Sequence, residues 1–360
     1  MTSATKQIEE FLNEKGNKKY HFNGGKEYEY RIPSGSLNLD IALGGGLTAG
    51  AHRFTGVNEG GKTSCALSFA KNFQDKFKEK AMVVVVKAEG RLSREVLARS
   101  GIDTDPERFF VFDCNVFEKV FELIRNLVME NSEDRRYMFI VDSVDALCRM
   151  NDLDKGFDEP EQVAGGALIT SVFLKKMVLP ISKMGHIMLL TSQVRVEVAT
   201  NPYASRGGPK QKQAGGNAVK HYANFILEFE ERYSGDIMYT NPSAARIDDK
   251  GDPIGHYCKI RFRKTVNEKT GALVRYPIRY GRTGGNSIWK EKEVSDMMFA
   301  FQMAIKKGAW ISLSEELIEE LKQKGIDFES KFQGDQKFIS YLESNPELCD
   351  FLYKEFCNAI

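Results

Sequence analysis

Two runs constrain the fold more than any other feature: AMVVVV at 81–86 and YMFIV at 137–141 contain no charged residue. A strand with one wet face alternates apolar and polar positions, so an unbroken apolar run needs cover on both faces, as inside a parallel sheet. From Ile32 to about 285 such runs alternate with helical patterns: AHRFTG, KTSCALSFAKNFQDKF, AMVVVVKA, LSREVLARSG, RFFVFD, KVFELIRNLVME, YMFIVDS and HIMLLTSQV. This predicts an α/β core, a mainly parallel sheet flanked by helices, with ligands bound beyond the carboxyl ends of the strands. Residues 1–31 read as an amphipathic helix, with Ile8, Phe11 and Leu12 on one face, followed by a polar arm and a short strand at EYEYR. The core spans 32–288, and 289–360 reads as a small C-terminal α-rich domain punctuated by KKGAW, KQKGIDF and SNPEL.

Between a strand-like run and a helical one lies GVNEGGKT, from Gly56 to Thr63. The pattern G-x-x-x-x-G-K-[ST] in that setting predicts a phosphate-binding loop. Gly56, Val57, Asn58, Glu59, Gly60 and Gly61 form a loop whose backbone N–H groups can close around phosphate oxygens. Lys62 supplies a cation to the β- and γ-phosphates, and Ser64 continues the helix whose dipole favours anions. Thr63 and Asp142, at the end of YMFIVDS, are the candidate Mg²⁺ ligands of an ATP site. Glu89 lies just past AMVVVVKA, where a carboxylate could deprotonate water, and Gln193 ends HIMLLTSQ, where an amide could sense a γ-phosphate. By residue type alone Glu89 could equally be a solvated loop acid and Gln193 an exposed strand-end amide.

Composition narrows the setting. With 42% apolar and 28% charged residues and no uninterrupted apolar run of membrane-spanning length, the chain reads as globular, without a membrane partner. The basic-then-apolar order of a secretory signal is missing, so a cytoplasmic location is expected. Six cysteines without C-x-x-C spacing argue against a zinc ribbon or a disulfide framework. A net charge of +1 leaves any nucleic-acid surface to local clustering. Two clusters stand out. In 194–214, Arg195, Arg206, Lys210 and Lys212 oppose Glu197; in 259–282, Lys259, Arg261, Arg263, Lys264, Lys269, Arg275, Arg279 and Arg282 oppose Glu268. Each could also be an ordinary solvated basic face.

IPSGSLNLDIALGGGL at 32–47, GGNAVKHYA at 215–223, and KKGAW at 306–310 with FISYLESNPELCDFLYKEF resemble segments of the RecA-family recombinases. The resemblance covers nearly the whole chain. It implies an ATP-dependent filament on single-stranded DNA that pairs and exchanges strands with homologous duplex DNA, nucleoid-associated and served by single-strand-binding and loader proteins. Within it, Glu89 becomes the water-activating residue, Gln193 the link between γ-phosphate and DNA, Tyr280 a nucleotide contact, and Lys264 a cation inserted into the neighbouring protomer's ATP site. Residues 194–214, with Gly215, Gly216 and Asn217 after them, resemble the second DNA loop. Residues 151–163 resemble the first, with Val163 as the wedge between bases.

Some positions depart from the family pattern. Val266 stands where a second lysine is common, Val96 where an aromatic stacks on adenine, and Ser93 where an acid is usual. From Ser314 onward eleven Asp and Glu face five Lys, so the C-terminal region is acidic. A hexameric helicase-type motor of the same fold, or an ATP- and DNA-binding regulator without turnover, are the alternatives.

Overall fold

The computed structural model describes residues 3–14, 16–17, 21–23, 28–89, 92–156, 165–196, 211–213, 216–241, 244, 246 and 248–359, with only the backbone at 3, 195–196, 211–213, 216–218 and 248. Helix α1 (Ser3–Asn13) stands first, and α2 (Leu37–Leu43) leads into β1 (Gly50–Gly56). Then follow α3 (Lys62–Phe77), β2 (Ala81–Lys87), α4 (Arg94–Ser100), β3 (Phe109–Phe112), α5 (Phe117–Met129), β4 (Arg136–Asp142), α6 (Gly165–Lys183) and β5 (Ile187–Val196). The core continues through β6 (Gln211–Gln213), α7 (Gly216–Tyr222), β7 (Phe225–Phe229), β8 (Ile237–Tyr239), β9 (Pro253–Lys264) and β10 (Leu273–Arg279).

The sheet runs β10-β9-β7-β1-β5-β4-β2-β3, with β6 on β5 and β8 on β9. Pairings from β7 to β3 are parallel, while β9 and β10 are antiparallel. The two apolar runs behave as their composition requires. Val83, Val85, Met138 and Ile140 pack on one face with Phe69 and Phe73 of α3, while Val84, Val86, Phe139 and Val141 pack on the other with Val120 and Ile124 of α5. Register does the rest: Gly56 pairs with Gln193 and Lys87 with Asp142, so the carboxyl ends of β1, β5, β4 and β2 form one rim.

One helix stands out by its composition, and one expected strand needs correcting. By length and composition alone α6 could cross a membrane. However, Phe173, Leu174, Met177 and Ile181 are buried, Phe173 stacks on Phe121 at 4.1 Å, and Lys175 and Lys176 lie midway along the helix, so one face of α6 packs on the protein. EYEYR forms no strand among its described residues; Ile32 makes an isolated bridge to Leu47, and Tyr30 packs edge-on against Phe77.

The C-terminal region holds α8 (Lys290–Ala300), β11 (Ala304–Lys307), β12 (Trp310–Leu313), α9 (Glu315–Lys324), β13 (Lys331–Gln333), α10 (Asp335–Ser344) and α11 (Pro346–Asn358). It is α-rich as expected, but KKGAW turns a β-hairpin with Gly308 at φ 61°, and β11, β12 and β13 make a three-stranded antiparallel sheet. A third apolar cluster joins these elements to Leu37 of α2. Glu293 of α8 reaches the start of α2, accepting hydrogen bonds from Ser36 Oγ at 2.6 Å, Leu37 N at 3.1 Å and Asn38 N at 3.3 Å.

Candidate nucleotide and DNA site

The phosphate loop follows from close packing at the end of β1. Gly56 has φ 140°, and a Cβ there would stand 2.1 Å from the carbonyl oxygen of Phe229 on β7. Gly61 takes the N-cap position of α3 in a left-handed conformation, and no side chain caps that helix among the described residues. Its first-turn N–H groups therefore face the loop as anion donors. Lys62 Nζ donates to the carbonyl oxygens of Gly56 at 3.1 Å and Val57 at 2.6 Å. Burial pulls the Lys62 ammonium below its usual range, and the carboxylates of Asp142, Glu89 and Asp145 oppose that shift.

Across the loop, Thr63 Oγ1 donates to Asp142 Oδ2 at 2.6 Å, and Thr191 Oγ1 donates to Asp142 Oδ1 at 2.6 Å. Gln193 Nε2 donates to Glu89 Oε1 at 3.3 Å, and Ser143 Oγ donates to the same oxygen. Asn58, Glu59, Lys62, Thr63, Glu89, Asp142 and Gln193 share a cavity of about 190 Å³. Beside it a groove of about 470 Å³ is lined by Ser64, Val96, Arg232, His256 and Tyr280. Tyr280 OH lies 3.1 Å from His256 Nδ1 and 3.4 Å from Arg232. Ser93 has a local task, since its hydroxyl caps α4 by accepting from Val96 N at 3.3 Å.

Several residues of this rim carry no sequence signal of their own. Thr191 lies two residues before Gln193 and so shares its face of β5, which could have flagged it. Asp145 accepts from Gln193 N at 2.6 Å, and Arg53, 1% exposed, donates through Nε to Ser192 Oγ at 2.9 Å. Nothing in a linear reading marks either.

Of the DNA-binding candidates, Val163, Arg206, Lys210 and Gly215 lie outside the described residues. The segment 194–214, which resembles a DNA loop, forms a ribbon at its ends: β6 pairs antiparallel with β5, Arg195 opposite Lys212. Gly216 and Asn217 open α7. The basic cluster at 259–282 is largely neutralised within the fold. Lys259 pairs with Asp236 at 2.6 Å, Arg261 with Glu230 at 2.6 Å, Arg263 with Glu228 at 2.7 Å, and Arg282 with Glu291 at 2.7 Å and Glu343 at 2.8 Å. Charge counting along the chain misses these carboxylates because they come from β7, the segments after it and the C-terminal helices. Lys264 Nζ donates to the carbonyl oxygens of Lys220 and His221, each at 2.8 Å, at the end of α7.

Comparison with known proteins bears on this arrangement. The family model described as the RecA N-terminal domain matches residues 1–265. The chain belongs to the RecA family. Among similar RecA proteins, that of Petrotoga mobilis is 28% identical over 323 residues, 89% of this chain and 77% of the relative. The RecA of Fusobacterium nucleatum is 27% identical over 331 residues, 91% of this chain and 76% of its own length. That of Campylobacter jejuni subsp. doylei is 24% identical over 341 residues, covering 94% and 87%. The matched RecA segment contains Lys62, Glu89, Asp142, Gln193 and Lys264 and ends just before Val266, which is 55% exposed.

Proposed function

We propose that this chain is an ATP-dependent recombinase that assembles as a helical filament on single-stranded DNA and catalyses homologous pairing and strand exchange. The observation that carries the reading is the position of Gln193, which touches Glu89 through its side chain and begins the β5–β6 ribbon that leads into 194–214. One residue thus joins the candidate hydrolytic acid to the candidate DNA segment. The donor set fits ATP with Mg²⁺: a glycine-walled loop of N–H groups, a lysine, and the two oxygen ligands Thr63 and Asp142 already in contact. When bound, the metal neutralises charge on the phosphates. Lys62 holds the phosphate end, Glu89 takes a proton from water, and Tyr280 borders the nucleoside groove.

Lys264 is the cation offered to the next protomer's nucleotide, a role that requires it to leave the end of α7. Residues 1–31 dock onto a neighbouring protomer, supported by Ile8 and Phe11, which are 60% and 61% exposed. With the cations of β9 largely paired internally, 194–214 carries the contact with the DNA backbone, while sequence is read by base pairing. Electron microscopy of the protein with ATP, Mg²⁺ and single-stranded DNA, together with phosphate release with and without DNA, tests the reading. Helical filaments with DNA-stimulated turnover are expected. Closed rings would favour a helicase-type motor, and full turnover by dilute protomers without DNA would overturn the proposal.

A further inference from the structure

A row of alternating charges lies under the rim, on a face of the sheet that is apolar further down. Arg53 shares its face of β1 with Ala51, which packs in the cluster under α5 and α6. Neighbouring strands place Ser192 and Glu228 beside it, both opposite Thr55 in the register. Burial lowers Arg53 to about 10, and the carboxylates of Asp145 and Glu228 act against that shift, so it remains a cation at neutral pH. Asp145 Oδ2 in turn accepts from the backbone N of Gln193 at 2.6 Å. Glu228 accepts two hydrogen bonds from Arg263, both at 2.7 Å. The order across the sheet is therefore acid, base, acid, base, from the segment after β4 to β9.

Charges in such a place are costly, and apolar residues of similar volume would commonly serve stability as well or better. What the charges supply is a fixed position. Asp145 is held from one side by the field of Arg53, and from the other it grips the Gln193 peptide, whose side chain reaches Glu89. We propose that Asp145, anchored by Arg53, is a positioning residue that sets where the Gln193 amide meets Glu89 and so sets how strongly DNA stimulates turnover. The proposal rests on the role given to Gln193 above and extends it to two residues that do not line the phosphate-loop cavity.

The test compares wild type, Asp145→Ala and Asp145→Asn in two measurements: affinity for a fluorescent ADP analogue, and ATP turnover with and without poly(dT). For Asp145→Ala, nucleotide affinity should stay within about threefold while DNA stimulation falls by roughly tenfold or more, the scale of a misplaced group remote from the chemistry. Asn can still accept from the Gln193 N–H but loses the charge on which Arg53 acts, so Asp145→Asn should recover part of the stimulation. Undiminished stimulation in Asp145→Ala overturns the proposal. So does a parallel loss of affinity and stimulation that Asn does not rescue, which would indicate a purely structural part. If Asp145→Ala does not fold, Ser192→Ala, which removes the acceptor of Arg53 Nε, should lower stimulation several-fold, and wild-type stimulation there overturns the proposal instead. A wild-type enzyme indifferent to DNA would overturn the recombinase reading as well; normal stimulation of both wild type and Asp145→Ala would overturn this inference alone.

Discussion

Gln193 and Glu89 meet across 3.3 Å although β4 lies between the strands that carry them. The contact therefore bridges over the end of β4, directly above Asp142 and Ser143, and Ser143 donates to the same Glu89 oxygen. A change at any of three strand ends is felt at one carboxylate.

Glu89→Gln keeps the shape of the side chain and removes its basicity. Turnover in the presence of single-stranded DNA is expected to fall by about 10²- to 10⁴-fold, the usual contribution of a general base, with nucleotide binding retained. Phosphate-release kinetics and nucleotide titration check both halves. Full turnover would remove Glu89 from its assigned role.

Lys264→Ala takes a cation from the end of α7, where two carbonyl oxygens currently accept from it. As the cation offered across the protomer interface, its loss should lower turnover of DNA-bound filaments on the order of 10³-fold, while isolated protomers bind nucleotide normally. Filaments that hydrolyse at the wild-type rate would show that no such cation is needed.

Gly56→Ala would drive a methyl group to 2.1 Å from the Phe229 carbonyl oxygen, at a φ of 140° that side chains rarely adopt. A destabilisation of roughly 3 kcal/mol or more is expected, equivalent to a fall of about 4 °C or more in the unfolding midpoint of a chain this long. Gly235→Ala is the control, because a Cβ there meets nothing within 4 Å. Calorimetry of the two variants should separate them clearly.

Stability should also respond to pH in a definite direction. Burial raises Asp40 and Glu293 to about 7, well above the carboxyl range of an unfolded chain. Their contribution is therefore complete below about pH 4 and is lost as pH rises through 7. Buried His52, lowered to about 4, and His186, lowered to about 3, act in the opposite direction, but only below about pH 6.5. Between pH 6.5 and 8 the carboxyls dominate, and stability should decline by roughly 1 kcal/mol per group. Glu293→Gln should flatten that decline; an unchanged slope in thermal unfolding would contradict the assignment.

The parallel sheet, the phosphate loop and the rim residues were legible in the sequence because each has a local signature: runs apolar on both faces, a glycine pattern between strand and helix, a polar residue at a strand end. The KKGAW hairpin was missed because two four-residue strands are too short to show a period. The basic face at 259–282 was misjudged for a different reason. Arg261 and Arg263 find Glu230 and Glu228 more than thirty positions away in sequence, on or just beyond an adjacent strand. Asp145 and Arg53 were invisible for the same cause, since their meaning comes from register between strands rather than from neighbours along the chain.

The reach of Glu293 into the opening turn of α2 has a practical consequence. A shortened protein ending at 289 would leave three donors at that turn without their acceptor and would strip Leu37 of its apolar surroundings. The tail is built into the approach to the phosphate loop, so trimming it in search of a minimal ATPase would loosen the segment that feeds β1.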